Sequence, residues 1–135
     1  MATTLGIKNN NPGNIRRGDN WKGLVPSNGD FCKFVSMEYG IRALIVLLRT
    51  YYRKYHLRTI RSIITRYAPP LENHTEAYIK NVSVRMGVNP DALLTLGFGS
   101  QKIDFTLFHL VKWICKIESD YDLSYTTYIN SLKLL

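Results

Sequence analysis

Acid–base chemistry by carboxyl groups is the chemistry that this sequence could support most directly. Among its 10 Asp and Glu residues, Glu118 stands at the end of an apolar stretch, 110–117, that has the pattern of a buried helix. A helix C-terminus disfavours an anion, and apolar neighbours disfavour the ionised carboxyl, so both raise its pKa. A carboxyl that keeps its proton near neutral pH can act as a general acid. The alternative is that Glu118 is a solvated residue where the helix emerges.

Glu72 and Glu38 are the other candidate acids. Glu72 follows the Ala68-Pro69-Pro70 segment, and Glu38 lies in the first turn of a predicted helix, so either carboxylate could simply complement a helix N-terminus. No catalytic triad is indicated, because the histidines lie in unrelated contexts (His56, His74 and His109). The two cysteines, Cys32 and Cys115, are far apart and flanked by apolar residues, which predicts buried free thiols and not a zinc site. We therefore expect no metal and no cofactor.

The stretch 9–23, NNNPGNIRRGDNWKG, is the most specialised part of the sequence. Its density of Asn, Gly, Pro and Asp predicts turns and short strands, with the hydrogen-bonding side chains of a binding site. Trp21 could stack on a sugar or a base, or serve as a small hydrophobic anchor. Tyr67 and Tyr78, which flank the Pro-Pro segment further along, are by default residues at the edge of the core.

The composition indicates one globular domain, residues 1–135. With 45% hydrophobic and 12% aromatic residues, the chain can bury a core. Its net charge of +8 favours anionic partners such as nucleic acid, anionic membrane surfaces or bacterial cell-wall polymers. Basic and aromatic residues alternate over 49–66, but no helix-turn-helix or zinc signature accompanies them, so we expect no nucleic-acid partner. No apolar run approaches the roughly 20 residues of a transmembrane helix, and the N-terminus lacks the pattern of a secretory signal.

The periodicity of apolar residues predicts a mainly α-helical fold (α+β) with a small β-hairpin near the N-terminus. A short strand is predicted at 31–35. The predicted helices, in chain order, cover 36–55 with Ser36 as N-cap, 59–67, 75–86 with Asn73 or Thr75 as cap and Gly87 as stop, 92–96, 102–118, and 125–134.

A series of motifs runs in a fixed order along nearly the whole chain. They are Asn10-Asn11-Pro12-Gly13-Asn14-Ile15-Arg16, Trp21-Lys22-Gly23, the aromatic strand with Phe31 and Phe34, the Ser36-capped helix, Gly40-Ile41-Arg42-Ala43, Thr59-Ile60, Ala68-Pro69-Pro70 and Glu72-Asn73-x-Thr75-x-x-Tyr78. Together they resemble a family of small phage-associated proteins with an Asn-Pro-Gly-Asn-Ile-Arg motif, often described as phage structural proteins or lysozyme-like hydrolases.

The stretch 10–78 is also similar to part of the bacterial glucosaminidases of the flagellar, lysozyme-like type. In those enzymes a catalytic Glu ends a helix that precedes an Asn-Asn strand, a Trp-x-Gly turn, an aromatic strand and a further helix. Here no room for that helix exists before Asn9, but the stretch 110–122 resembles the Glu-Ser helix end of lytic transglycosylases and goose-type lysozymes. The resemblance implies a lysozyme-like domain in circularly permuted order, in which Glu118 meets the loop of Asn10 and Asn14.

The resemblance further implies binding and cleavage of peptidoglycan at a β-1,4 linkage between amino sugars. The reaction would be that of a muramidase, a glucosaminidase or a lytic transglycosylase. Glu118 would be the general acid, with Glu72 first and Glu38 second as the other carboxylate, or the substrate's own N-acetyl group in its place. The residues implied to contact the glycan are Asn10, Asn11, Asn14, Arg16, Trp21, Tyr67, Asn73, Thr75 and Tyr78.

The competing expectation is a non-catalytic virion or cell-wall-binding protein that keeps the fold and the groove without turnover. Either protein would have bacterial peptidoglycan as its partner, with other virion proteins as further partners. The resemblance, together with the absence of a signal pattern, implies synthesis in the host bacterial cytoplasm. The protein would then reach the wall through a membrane pore or be carried within a virion.

Overall fold

The structure, a computed structural model, describes residues 3–69, 74–99 and 103–135. The elements within these residues are α1 (Leu5–Lys8), β1 (Leu24–Val25), β2 (Lys33–Phe34), α2 (Met37–Arg53), α3 (Ile60–Tyr67), α4 (Thr75–Met86), α5 (Phe105–Ser119) and α6 (Tyr125–Leu132). They share a hydrophobic core. The predicted fold class, mainly helical with a small β element near the N-terminus, is confirmed.

Side chains and turn conformations fix the ends of several helices. Ser36 accepts a hydrogen bond from a backbone amide of the first turn of α2, as predicted. Thr59 and Ser62 form a reciprocal capping box at α3, and the Asp104 carboxylate accepts two backbone N–H groups at α5. These caps satisfy amides that a first helical turn leaves without a partner. Gly87 ends α4 in the left-handed conformation, with φ of 67°.

The core lies between helices that pack in pairs, α2 against α6, α3 against α4 and α4 against α5. The wide buried face of α5 agrees with its apolar sequence, and the residues that form it are Leu107, Phe108, Leu110, Val111, Ile114, Cys115 and Ser119. Cys32 and Cys115 are buried free thiols, as predicted. Burial raises the pKa of both thiols, which makes them unreactive members of the core.

The small β element is an antiparallel pair in which Leu24 lies opposite Phe34 and Val25 opposite Lys33. An isolated bridge between Arg16 and Phe31 continues the pairing toward the Asn-Pro-Gly-Asn turn. The hairpin therefore joins the specialised N-terminal stretch to the start of α2, and it fixes the position of both.

The prediction of a helix over 92–96 is wrong. This part of the chain is extended, and its side chains alternate: Leu94, Leu96 and Phe98 are buried, whereas Leu93 is 82% exposed. Its backbone amides bond to other parts of the fold, since Leu94 N–H donates to the carbonyl of Arg58. A five-residue helix has too few internal hydrogen bonds to compete with such tertiary pairing.

One further helix was not predicted, and the start of another differs from the prediction. The short α1 was not predicted; Thr4 caps it and also donates a hydrogen bond to the Ser119 carbonyl at the end of α5. The last long helix begins at Phe105 and not at 102, because Asp104 caps it. The predicted first residue, Lys102, lies outside the described residues. Within the described ranges, no helix combines the length and the apolar character needed to cross a bilayer.

Candidate active site

The Glu118 side chain lines a groove between the N-terminal loop, the hairpin and the helices α2 and α3. The groove encloses about 350 Å³. The residues that line it, named here the Glu118 groove, are Asn14, Ile15, Arg16, Asp19, Trp21, Phe31, Leu47, Tyr51, Arg66, Tyr67, Pro69 and Glu118. Polar side chains from the N-terminal loop thus share a single concave surface with the last turn of α5, which is the composition expected of a small-ligand or glycan site.

The Glu118 carboxyl is held at the end of α5 by the loop that the sequence analysis singled out. Asn14 Nδ2 donates to the Glu118 carbonyl at 2.9 Å and lies 3.4 Å from Glu118 Oε1. Burial raises the pKa of Glu118, while Tyr78, Asn14 and the Arg16 charge oppose that rise. The raised pKa agrees in direction with the value expected for a general acid, and its main physical cause is desolvation.

Tyr78 and Tyr67 both lie near enough to the Glu118 carboxyl for its charge to raise their pKa values. Tyr78, on α4, is 7% exposed, and its hydroxyl is buried with no hydrogen-bond partner within the geometric limits among the described residues. It is nevertheless close enough to Glu118 to lower the pKa of that carboxyl. Tyr67, at the end of α3, donates its hydroxyl proton to the Gly13 carbonyl. Burial, and after it the Glu118 charge, raises the pKa of both tyrosines, so both keep their protons at neutral pH.

The Asn-Pro-Gly-Asn segment forms a turn whose side chains bind its own backbone. The Asn14 backbone N–H donates to the Asn11 carbonyl at 3.0 Å. The Asn11 side chain is fully buried; its Nδ2 donates to the carbonyls of Ile15 and Cys32, and its Oδ1 accepts from the Ile15 amide. The Asn11 amide therefore holds the turn against the hairpin strand.

Glycines allow this turn to approach its neighbours closely. A Cβ at Gly13 would lie 2.7 Å from the Tyr67 hydroxyl, and a Cβ at Gly40, on α2, would lie 1.8 Å from the Asn10 carbonyl oxygen. Both distances are below any ordinary carbon–oxygen contact, so only glycine fits at these positions. The glycines of the two motifs thus bring the loop onto α2 and α3.

The predicted glycan-contacting residues divide into two groups in the structure. Asn14, Arg16, Trp21 and Tyr67 line the Glu118 groove, which keeps them as candidates. Tyr78 is a buried side chain that influences the Glu118 carboxyl but is not among the residues that line the groove. Asn73 is outside the described residues and stays a prediction.

The side chains of Asn10, Asn11 and Thr75 bond to backbone groups of the fold. Asn10 Nδ2 donates to the Phe34 carbonyl, and Thr75 Oγ1 donates to the Ala68 carbonyl, which ties the end of α3 to the start of α4. Neither these two residues nor Asn11 is among the residues that line the groove. Buried amides and hydroxyls usually satisfy other groups of the protein, as Asn11 and Thr75 do here. Contact of these three residues with a glycan stays a prediction.

The two predicted candidates for the second carboxylate, Glu72 and Glu38, have different outcomes. Glu38 does not line the Glu118 groove; it lies in the first turn of α2, as its alternative interpretation expected. Glu72 lies outside the described residues and stays a prediction. Among the described residues, Asp19 is the carboxylate that shares the groove with Glu118. Asp19 was not predicted as a groove residue. Its position two residues before Trp21 in the same polar loop is the sequence signal that could have indicated it.

The N-terminal residues meet the end of α5 directly. Thr4 Oγ1 donates to the Ser119 carbonyl at 2.7 Å, and a Cβ at Gly6 would lie 1.8 Å from Ser119 Oγ. The end of α5, at Ser119, and the stretch before the asparagines therefore lie side by side, and the hypothesis of a permuted order stays a prediction. Glu118 far from Asn14 would have ruled that hypothesis out, and the hydrogen bonds between them remove this objection.

Comparison with known proteins relates part of this chain to a phage protein. No family model matches the chain. Protein P5 of Pseudoalteromonas phage PM2 is 43% identical over 89 residues, which cover 62% of this chain and 56% of Protein P5. The chain thus spans little more than half of that relative's length. Over that shared part, the chain is similar to a protein of a bacteriophage, which supports an association with phage.

Proposed function

We propose that this chain cleaves the glycan strands of bacterial peptidoglycan, with Glu118 as the general acid at a β-1,4 linkage between amino sugars. The observation that carries the proposal is a partly desolvated carboxyl with a raised pKa, held by Asn14 at the wall of an open groove. Positioning and proton affinity are the two properties that general-acid catalysis requires together.

The groove residues supply distinct parts of this reaction. Glu118 donates its proton to the glycosidic oxygen as the bond breaks, and the resulting carboxylate is stabilised by the Asn14 amide and the Arg16 charge. Trp21 and Tyr67 offer aromatic surface along the groove, against which the apolar faces of sugar rings can pack. The bound glycan displaces water from around Glu118, which strengthens each of these electrostatic contacts.

Asp19 is the first choice for the second carboxylate, because it shares the groove with Glu118. As a carboxylate it would stabilise the positive charge that develops on the sugar, or activate the attacking water. Glu72, three residues after the groove-lining Pro69, is the other choice. Where neither acts, the acetamido group of the substrate takes this part, as in transglycosylase-type reactions.

The test measures muropeptide release from purified peptidoglycan by chromatography, which detects hydrolysed and anhydro ends alike. Glu118→Gln should lower the rate by about 10²–10⁴-fold, the usual contribution of a general acid. Glu76→Gln is the matched control, since the Glu76 side chain is 82% exposed, and it should keep the wild-type rate. Equal rates for wild type and Glu118→Gln would refute the assignment. Separate tests with Asp19→Asn and Glu72→Gln then decide between the two candidates for the second carboxylate.

A non-catalytic virion or wall-binding protein is the second candidate function. The net charge of +8 and the similarity to a phage protein fit this role without any turnover. Cosedimentation of the wild-type protein with peptidoglycan, in the absence of any released fragment, would favour the binding protein over the enzyme.

A further inference from the structure

Arg66 is a cation of the Glu118 groove whose orientation the fold fixes. It lies in the last turn of α3, and its guanidinium carbon is 4.0 Å from the ring centre of Tyr55 and 5.4 Å from that of Tyr51. Stacking on two rings restricts a side chain that is otherwise among the most flexible, so a ligand that binds it loses less entropy.

The charge of Arg66 has no carboxylate within ion-pair distance among the described residues. Arg61, five residues earlier in the same helix, is paired with both Glu76 and Asp91. Arg61, which is not among the residues that line the Glu118 groove, is thus neutralised within the fold. Arg66 lines the groove, and no described carboxylate neutralises it.

Arg66 also does not serve the acid itself. The charge that lowers the pKa of Glu118 is that of Arg16, and the partner that Arg66 affects is Tyr51, whose pKa is raised by burial and lowered by Arg66. Among the described residues Arg66 has no carboxylate partner, and it is not among the groups that shift the pKa of Glu118. Its place in the groove therefore suits contact with the ligand.

Peptidoglycan and chitin share the β-1,4-linked amino-sugar backbone, and carboxylates distinguish them. Every second sugar of peptidoglycan carries a lactyl ether that ends in a carboxylate or in a peptide with carboxylates of its own, whereas chitin is neutral. A guanidinium binds a carboxylate through two parallel hydrogen bonds, which adds geometric selectivity to the charge attraction.

We propose that Arg66 selects glycan strands that bear carboxylates, so that the groove accepts lactyl- or peptide-substituted amino-sugar strands and discriminates against neutral chitin-type strands. The inference rests on the proposed glycan cleavage and adds the substrate feature that the site recognises. Arg66 acts as a specificity-determining residue that contacts the substituent and not the bond that breaks.

The experiment compares three substrates: untreated peptidoglycan sacculi, the same sacculi with their carboxylates converted to methylamides, and a chitin hexasaccharide. Arg66→Gln should lower kcat/KM on untreated sacculi by about tenfold or more, which is the usual worth of a hydrogen bond to a charged group. It should leave the rate on amidated sacculi unchanged. Arg58→Gln is the matched control, because Arg58 also stacks on a tyrosine, Tyr52, at 4.7 Å but does not line the groove.

The outcomes separate this inference from the proposed function. Wild-type cleavage of all three substrates at similar rates, or an equal loss in Arg66→Gln on untreated and amidated sacculi, overturns the role of Arg66 and leaves the enzyme intact. Absence of cleavage by the wild type on every substrate overturns the enzyme. In that case cosedimentation decides on Arg66: its role in recognition requires that Arg66→Gln, and not Arg58→Gln, weakens binding to untreated sacculi alone.

Discussion

The Glu118 groove and the part of α3 that carries Arg61 use the same kinds of residue under different conditions. In the groove, an acid and an asparagine meet in a partly desolvated place, and burial raises the pKa of Glu118. On the other side, Arg61 bonds to Glu76 and Asp91, whose side chains are 82% and 65% exposed. Burial therefore distinguishes Glu118 from Glu76 and Asp91. Desolvation shifts the pKa of Glu118, whereas the exposed carboxylates form an ion pair that water surrounds.

The two regions also differ in how their backbone is fixed. The loop next to Glu118 depends on contacts that tolerate no added atom and on an amide whose donors and acceptor are all used. The side with Arg61 depends on side chains that water can replace. We therefore expect substitutions near the groove to lower the free energy of unfolding much more than substitutions around Arg61.

The largest effect is expected for Gly40→Ala. The new Cβ would lie 1.8 Å from the Asn10 carbonyl oxygen, and this is a backbone atom that can move only with the loop. We expect a loss of about 3 kcal/mol or more in the free energy of unfolding, measured by urea denaturation. Gly29→Ala is the control, because a Cβ there meets no atom within 4 Å. Similar stabilities for the two variants would show that the loop is not packed tightly against α2.

Asn11→Ala comes next. The substitution leaves the Ile15 amide and the Ile15 and Cys32 carbonyls without their buried partner, and we expect a loss of about 2–3 kcal/mol. The control is Asn89→Ala on the side of α3 that carries Arg61; the Asn89 side chain accepts a bond from Asp91 in an exposed turn. Equal losses in the two variants would contradict the difference between the two regions.

The helices and the segment around Leu94 show how much of the fold could be predicted from the sequence alone. The periodic spacing of α2 and α5, the Ser36 cap and the Gly87 stop were sufficient to predict the helical framework, because these are local signals. The extended segment with Leu94 and Leu96 could not be predicted from local pattern, because its hydrogen bonds go to distant parts of the chain.

The candidate site was predicted in part for the same reason. Glu118 could be chosen because its own neighbours in sequence are apolar and end a helix. The different roles of Asn14 and Asn11 could not be predicted, because both are asparagines of one motif. Only the tertiary fold directs Asn14 to Glu118 and Asn11 to the backbone of the hairpin. Asp19 and Arg66 were missed because exposed charges are common, and nothing in the sequence marks which of them share a groove.

An intermediate effect is expected for the pH dependence of stability at Glu118. Its folded pKa is raised, so the ionised form is disfavoured in the folded state, and the wild type loses stability as pH rises from the ordinary carboxyl range through the raised value. Glu118→Gln removes this loss, which is about 1.4 kcal/mol for each pH unit of the shift.

Thermal melting of both proteins at a series of pH values measures this linkage. The stability difference in favour of Glu118→Gln should be smallest at pH 3, where both states of the wild type keep the proton, and should grow toward neutral pH. A difference that is constant with pH would mean that Glu118 is solvated, and the contrast with Glu76 would disappear.

The smallest effect is expected for Arg61→Gln. This substitution removes the bonds to Glu76 and Asp91, but those charges are exposed, and water and salt replace exposed partners readily. The melting temperature should fall slightly at low ionic strength, and the difference from the wild type should vanish in about 1 M salt, where charges are screened over roughly 3 Å. The Arg61 backbone N–H keeps its bond to Pro90, so the turn after α4 stays in place. A melting temperature that stays below that of the wild type at high salt would contradict this expectation. It would mean that the ion pairs of Arg61 are desolvated, because salt screens buried charges much less than exposed ones.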